Sequence, residues 1–172
     1  MTSVQELMPA HSMVRDPLAM SELFIAQSES EDERLWIPVS PITAFRPLFL
    51  SVSQGYWIAL TRVRGHGVIS RHRHPGLVHG LTLKGRWRYL EHDWVSQPGS
   101  YIFEPPGDVH TLVVEEGHGE MLTMFQIHGA MVYLDDNNAV TSVDDVFTRI
   151  DQCRAHFASV GLGADYVDQF VR

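Results

Sequence analysis

The sequence predicts a mainly β protein: one antiparallel barrel or sandwich domain with a helical C-terminal appendage. Three observations carry this. Ten short apolar, β-rich runs follow one another between residues 35 and 134. Gly, Pro, Asn or Asp clusters punctuate most of them, and no helix-period segment intervenes, which argues against a βαβ arrangement. Beyond residue 141 the apolar period changes to three and four.

Residues 1–34 form a weakly patterned arm, with a short helical stretch expected near 17–25 and an acidic loop at 27–34 (QSESEDER). Strands are expected at 35–39, 48–52, 56–64, 67–72, 78–84, 87–90, 100–104, 111–115, 121–128 and 131–134, so the barrel occupies 35–141. The turn signals include Pro75-Gly76, Lys84-Gly85, Pro98-Gly99 and Pro105-Pro106-Gly107. From residue 142, Val143, Val146, Phe147, Ile150, Cys153, Phe157 and Val160 recur at helical spacing, with Thr141 or Ser142 as cap and Gly161 as stop. A second short helix is expected at 164–171, and 142–172 reads as an appendage packed on the barrel.

The net charge of −8, from 21 acids against 13 bases, argues against nucleic acid or an anionic membrane surface as partner. The lone Cys153 suits a reducing compartment, so a cytoplasmic location is expected. No basic segment followed by an apolar stretch opens the chain, and no run approaches 18 apolar residues. The abnormal figure is histidine, 10 of 172 residues, and function is sought there.

His72 and His74 are two apart in a strand-like run, so their side chains share a face and two imidazoles can share one metal. His110 opens a strand after the Pro105-Pro106-Gly107 turn, which in a small antiparallel barrel sets a third nitrogen opposite the pair. The order Gly67…His72-Arg-His74…Gly85, then Gly99…Pro105-Pro-Gly107-Asp-Val-His110, resembles the two signature motifs of the cupin superfamily. The second motif matches at every fixed position up to the histidine. The first departs: the family's glutamate would fall at Val78 or His79, and the asparagine usual after the second motif is Val114. The resemblance implies a double-stranded β-helix of jelly-roll type and a three-histidine site without the usual carboxylate ligand.

A narrower resemblance covers most of the chain. SQGYW (53–57), RHRHPG (71–76), KGRWRYLEHDW (84–94) and GSYIFEPPGDVHTL (99–112) look like the 2,4'-dihydroxyacetophenone dioxygenase family, cupins with non-haem iron on three histidines. Three-histidine β-diketone dioxygenases are similar in chemistry. The resemblance implies Fe(2+) at His72, His74 and His110, with Zn(2+) or Ni(2+) as substitutes in purified protein. It also implies O2, a small ketone substrate and cleavage of a carbon–carbon bond to two acids, an aromatic acid and formate for a hydroxyacetophenone.

Glu104, six residues before His110, is the acid embedded in an apolar strand near the motif; it reads as a carboxylate beside the site or a base, against a surface acid. His79 reads as a pocket hydrogen bonder or a distant ligand, against a solvent-facing strand residue. Trp87, Tyr89 and Tyr101, with Trp94 and Phe103, are pocket-lining candidates, although strands favour such residues as plain core. Arg71 and Arg73 alternate away from the ligand face. His92, His118, His128 and His156 have no partner at ligand spacing.

Three neutral imidazoles leave a divalent cation's charge uncompensated and open positions for a bidentate enolate or α-hydroxy ketone. Competing readings are a three-histidine zinc hydrolase or isomerase, and a non-catalytic metal- or ligand-binding cupin. A regulator resembling the cupin half of zinc-dependent anti-sigma factors would need a helical partner-binding domain, and the first 50 residues show no convincing helix pair. A homodimer is expected, because 35–52 holds more apolar strand than one barrel edge requires.

Overall fold

In a computed structural model, residues 16–172 are described. Among the described residues, eleven strands form two antiparallel sheets. The larger has β1 (Ile37–Pro38), β2 (Thr43–Ser51), β3 (Tyr56–Val63), β9 (Met121–His128), β5 (Val78–Lys84) and β7 (Tyr101–Glu104), side by side in that order. The smaller has β11 (Val140–Asp145), β10 (Ala130–Leu134), β4 (Gly67–Arg73), β8 (Val109–Val114) and β6 (Arg88–Tyr89). Their inner faces meet over a core that includes Phe45, Leu50, Trp57, Val78, Trp87, Leu112, Phe125 and Ile127. Alternation explains the sorting: along β5, Val78, Gly80 and Thr82 are buried while His79 and Leu81 are not.

The turns come from residues that tolerate left-handed backbone. Gly85 has φ +72°, and an added Cβ would collide with the Glu120 carbonyl. Gly107 has φ +101° and donates its N–H to the His74 carbonyl at 2.9 Å, tying the proline turn to the end of the histidine strand.

Several expectations need correction. The stretch 17–25 contains no helix, and the strand expected at 48–52 is the second half of the longer β2. The helix does not start at 142. Residues 140–145 pair with β10 as β11, and α1 runs Val146–Ser159. Val143, which looked like the start of an apolar helical stripe, is exposed on this edge strand at 47%. The true cap is Asp145. Its carboxylate accepts from the Phe147 and Thr148 N–H groups, while Thr148 Oγ1 accepts from the Asp145 N–H. Residues 164–170 form a 3-10 helix (Ala164–Phe170), which with α1 covers the β2 side of the barrel.

Of the apolar residues that made 35–52 look like an unsatisfied edge, Trp36, Ile37 and Leu50 are buried within the chain, while Val39 and Val52 are exposed. The loop before them is held by Glu33, which pairs with Arg62 at 2.6 Å and Arg64 at 2.8 Å. Cys153 is buried, and desolvation pushes its thiol up to about 12, so it is core and not a nucleophile. Among the described residues no helix is long and apolar enough to cross a membrane.

Candidate metal centre

Strand alternation and register assemble the site. His72 faces inward on β4, His74 follows two residues later, and His110 on β8 is the direct cross-strand partner of His72. Ring centroids lie 4.8 Å apart for His72–His74, 5.8 Å for His72–His110 and 6.0 Å for His74–His110. Glu104 enters from the end of β7 and places Oε2 3.5 Å from His110 Nε2 and 3.6 Å from His74 Nε2. All four side chains are at most 3% exposed.

The outer contacts fix how the rings present themselves. His74 Nδ1 lies 3.2 Å from the Ala130 carbonyl, which can only accept; that nitrogen therefore carries the proton, and Nε2 of the neutral ring has a lone pair. His72 Nδ1 lies 3.1 Å from Ser70 Oγ. His110 is held by stacking on Tyr89, at 4.5 Å and 24°, and neither of its nitrogens has a hydrogen-bond partner. Tyr89 also donates to Glu104 Oε1 at 2.6 Å, leaving Oε2 unpartnered.

Burial sets the charge states. Desolvation, helped by its histidine neighbours, holds His72 well below the usual imidazole range; it takes His74 to about 4 and lowers His110. It pushes Glu104 up to about 7, against the lowering effect of the Tyr89 hydrogen bond. Near neutrality the cluster thus holds three uncharged imidazoles and a carboxyl close to half-ionised. Buried polar atoms without partners are costly, and here Glu104 Oε2 and His110 Nε2 lie 3.5 Å apart. A cation held by the three imidazoles would give the His110 ring its missing partner and sit beside the Glu104 carboxylate without needing it as a ligand, so this donor set fits a divalent metal. Among the described residues no three His, Cys, Asp or Glu side chains already converge tightly enough to hold an ion. The cluster is a set of donors, not a finished coordination sphere.

Two hollows meet at the Tyr89–Glu104 pair. The inner one, about 110 Å³, has His72 and His74 in its wall with Phe45, Val78, Phe125, Met131, Tyr133 and Arg149. The outer cleft, about 390 Å³, has His92, Trp94, Asp108 and His110 in its wall.

The other sequence candidates divide. Tyr89 is at the site. Trp87 lies behind it, buried, with its ring 5.1 Å from Tyr89 and its indole N–H donating to Thr82 Oγ1. His79 is not in the inner cavity: register puts it with Phe103 and Gln126 on the outer face of the large sheet, where its Nδ1 lies 2.7 Å from Tyr101 Oη. Tyr101, 63% exposed, borders only the outer cleft. One-residue alternation explains this, since Val78 and Glu104 take the inward positions and His79 and Phe103 the outward ones. Arg71 is tied to Glu91, Thr111 and Asn138. Sequence reasoning missed Ser70, readable as the member of Ser70-x-His72-x-His74 on the same face, and Tyr133 and Arg149, which only the tertiary fold brings to the cavity.

The ChrR cupin-like domain model matches residues 27–131. The chain belongs to this cupin family. Crystal structures similar to this cupin include an RmlC-like cupin protein from Ralstonia eutropha JMP134, 28% identical over 74% of this chain and 83% of that one, with a TM-score of 0.70. Another is an acetylacetone dioxygenase from Acinetobacter johnsonii, 16% identical over 83% and 97%, with a TM-score of 0.69; at that identity the likeness is one of fold. No curated protein matches the cupin in sequence.

Proposed function

We propose that this cupin is a non-haem iron(II) dioxygenase that cleaves a carbon–carbon bond beside a carbonyl in a small β-diketone or α-hydroxy ketone. His72, His74 and His110 are its metal ligands and Glu104 its base. The observation that carries the reading is the unpartnered, buried Glu104 Oε2 set between two imidazole Nε2 atoms. The fold shared with an acetylacetone dioxygenase supports it. The inner cavity, about 110 Å³ and walled mainly by apolar side chains, places the substrate at the small end of the ketones.

The iron, when bound, supplies a redox-active Lewis acid for the enolate oxygens and O2. The protein supplies the rest. Glu104 Oε2, buried and without a hydrogen-bond partner, takes the proton from the carbon between the carbonyls. Tyr89 holds the other carboxyl oxygen in place. The apolar wall of Phe45, Val78, Phe125 and Ile127 excludes water from the enolate. Both atoms of O2 end in products; pentane-2,4-dione gives acetic acid and 2-oxopropanal, which balances. The decisive experiment loads metal-free protein with Fe(2+) and follows oxygen with an electrode. Uptake of one O2 per diketone is expected with iron and none with zinc. No uptake with any short diketone or hydroxy ketone overturns the reading, and turnover with zinc alone replaces it by a hydrolase.

Tyr89→Phe removes the hydrogen bond that lowers the Glu104 pKa. Because the base must be ionised, the rising limb of the kcat/KM–pH profile should move to higher pH in the variant. An unmoved limb assigns it to another group.

We also propose a homodimer in a reducing cytoplasm. With Trp36, Ile37 and Leu50 used internally, the large apolar side chains left outside include Val39 and Val52 of that segment and Tyr101 and Phe103 on the far face of the large sheet. Light scattering should give twice 19.5 kDa at micromolar concentration; a mass near 19.5 kDa overturns the dimer.

A further inference from the structure

Arg149 is a charged residue in an apolar stripe. On α1 the buried positions are Val146, Arg149, Ile150, Cys153 and Phe157, and the arginine is 5% exposed. Its guanidinium lies over the Phe45 ring at 4.6 Å. Nη1 donates to Gln152 at 3.0 Å, while Nη2 reaches Asp144 at 3.1 Å and the Tyr133 hydroxyl at 3.2 Å. Nε is buried and has no partner. Such an orphaned donor is costly to the fold, and a methionine or leucine would fill the stripe without it.

The surroundings supply a use. Arg149 lines the same inner cavity as His72 and His74, together with Phe45, Met131 and Tyr133. Tyr133 touches both ends: its ring lies 6.3 Å from that of His72, and its hydroxyl accepts from Arg149 Nη2 at 3.2 Å. We propose that Arg149 is the distal anchor of the ligand in this cavity: its Nε–H donates to an acceptor oxygen on the end of the substrate away from the histidines. Because Asp144 already balances the guanidinium charge, the spare donor selects a neutral oxygen, a carbonyl or hydroxyl, over a second carboxylate. The substrate class narrows to short diketones carrying a further oxygen function. This deepens the reading of the cavity as a substrate pocket and does not require the metal.

The test uses two probes of equal size, hexane-2,4-dione and 1-hydroxypentane-2,4-dione, in which a hydroxyl replaces a terminal methyl. Calorimetry on the metal-free protein keeps the hydroxyl from chelating an ion. Native protein should bind the hydroxy compound about 10–100-fold more tightly, as expected when a buried donor gains its acceptor. Arg149→Lys, which keeps a cation beside Asp144 but has no Nε donor, should bind the two alike. In iron-loaded enzyme the same variant should raise KM for the hydroxy compound with little change in kcat. Equal affinities in the native protein, or no binding of either probe, overturns the proposal even if the lysine variant fails to fold. Oxygen uptake with hexane-2,4-dione but no discrimination sinks the anchor and leaves the dioxygenase reading standing.

Discussion

His110→Ala is expected to abolish metal binding while the barrel still folds. His72 and His74 are successive inward residues on one strand, whereas His110 approaches from the neighbouring strand β8, so its loss leaves two imidazoles on a single side of the ion. Weakening an outer-shell partner typically costs about 10–100-fold in affinity; removing a ligand costs more. In the metal-free protein both His110 nitrogens are buried without partners, so truncating the ring also removes a desolvation cost, and the apo forms should melt at similar temperatures. The contrast appears on titration. Native protein at a metal concentration a hundred times Kd gains about 2.7 kcal/mol, and the variant should gain none. Stoichiometric metal in the purified variant by elemental analysis would mean that His110 is not a ligand. In the native protein, retention should extend below the usual imidazole range. His74 is lowered from 6.5 to about 4, so the folded ring stays neutral as pH falls and protons compete for it only near the lower value.

Glu104→Gln should keep the fold and most of the metal but lower turnover by at least roughly tenfold, and by more if proton abstraction limits the rate, since general-base catalysis contributes about 10²–10⁴. The amide is the same size, and its oxygen can still accept from Tyr89, so the packing between the two hollows survives. What disappears is the basic Oε2 beside His74 and His110. The limb that titrates with Glu104 should vanish from the profile, a change that a purely structural role would not cause. Normal turnover with an unchanged limb would make Glu104 a buried spectator.

Much of this was legible in the chain because it is local. His72 and His74 share a face through the two-residue strand period, Gly107 occupies a backbone region that favours glycine, and the Pro105-Pro106-Gly107 turn announces His110. Val143 misled for a related reason. Spacings of three and four joined it to the helix stripe, but it lies on an edge strand whose cap, Asp145, begins α1 three residues later than the expected start after Ser142. His79 misled because a motif position does not specify a face; one register step put it outside, in the layer of Phe103 and Tyr101.

The sequence by itself determined the β-barrel class, the three imidazoles and the carboxylate on the strand leading to the third, since alternation and turn chemistry act between near neighbours. Only the tertiary structure decided what surrounds them. Tyr89 reaches Glu104 across the two sheets, Ala130 fixes the His74 tautomer from β10, and Arg149 enters the cavity from a helix beyond the last strand. Those contacts join residues far apart in the chain, and their protonation states follow from a burial that exists only once both sheets and the helix close over the site.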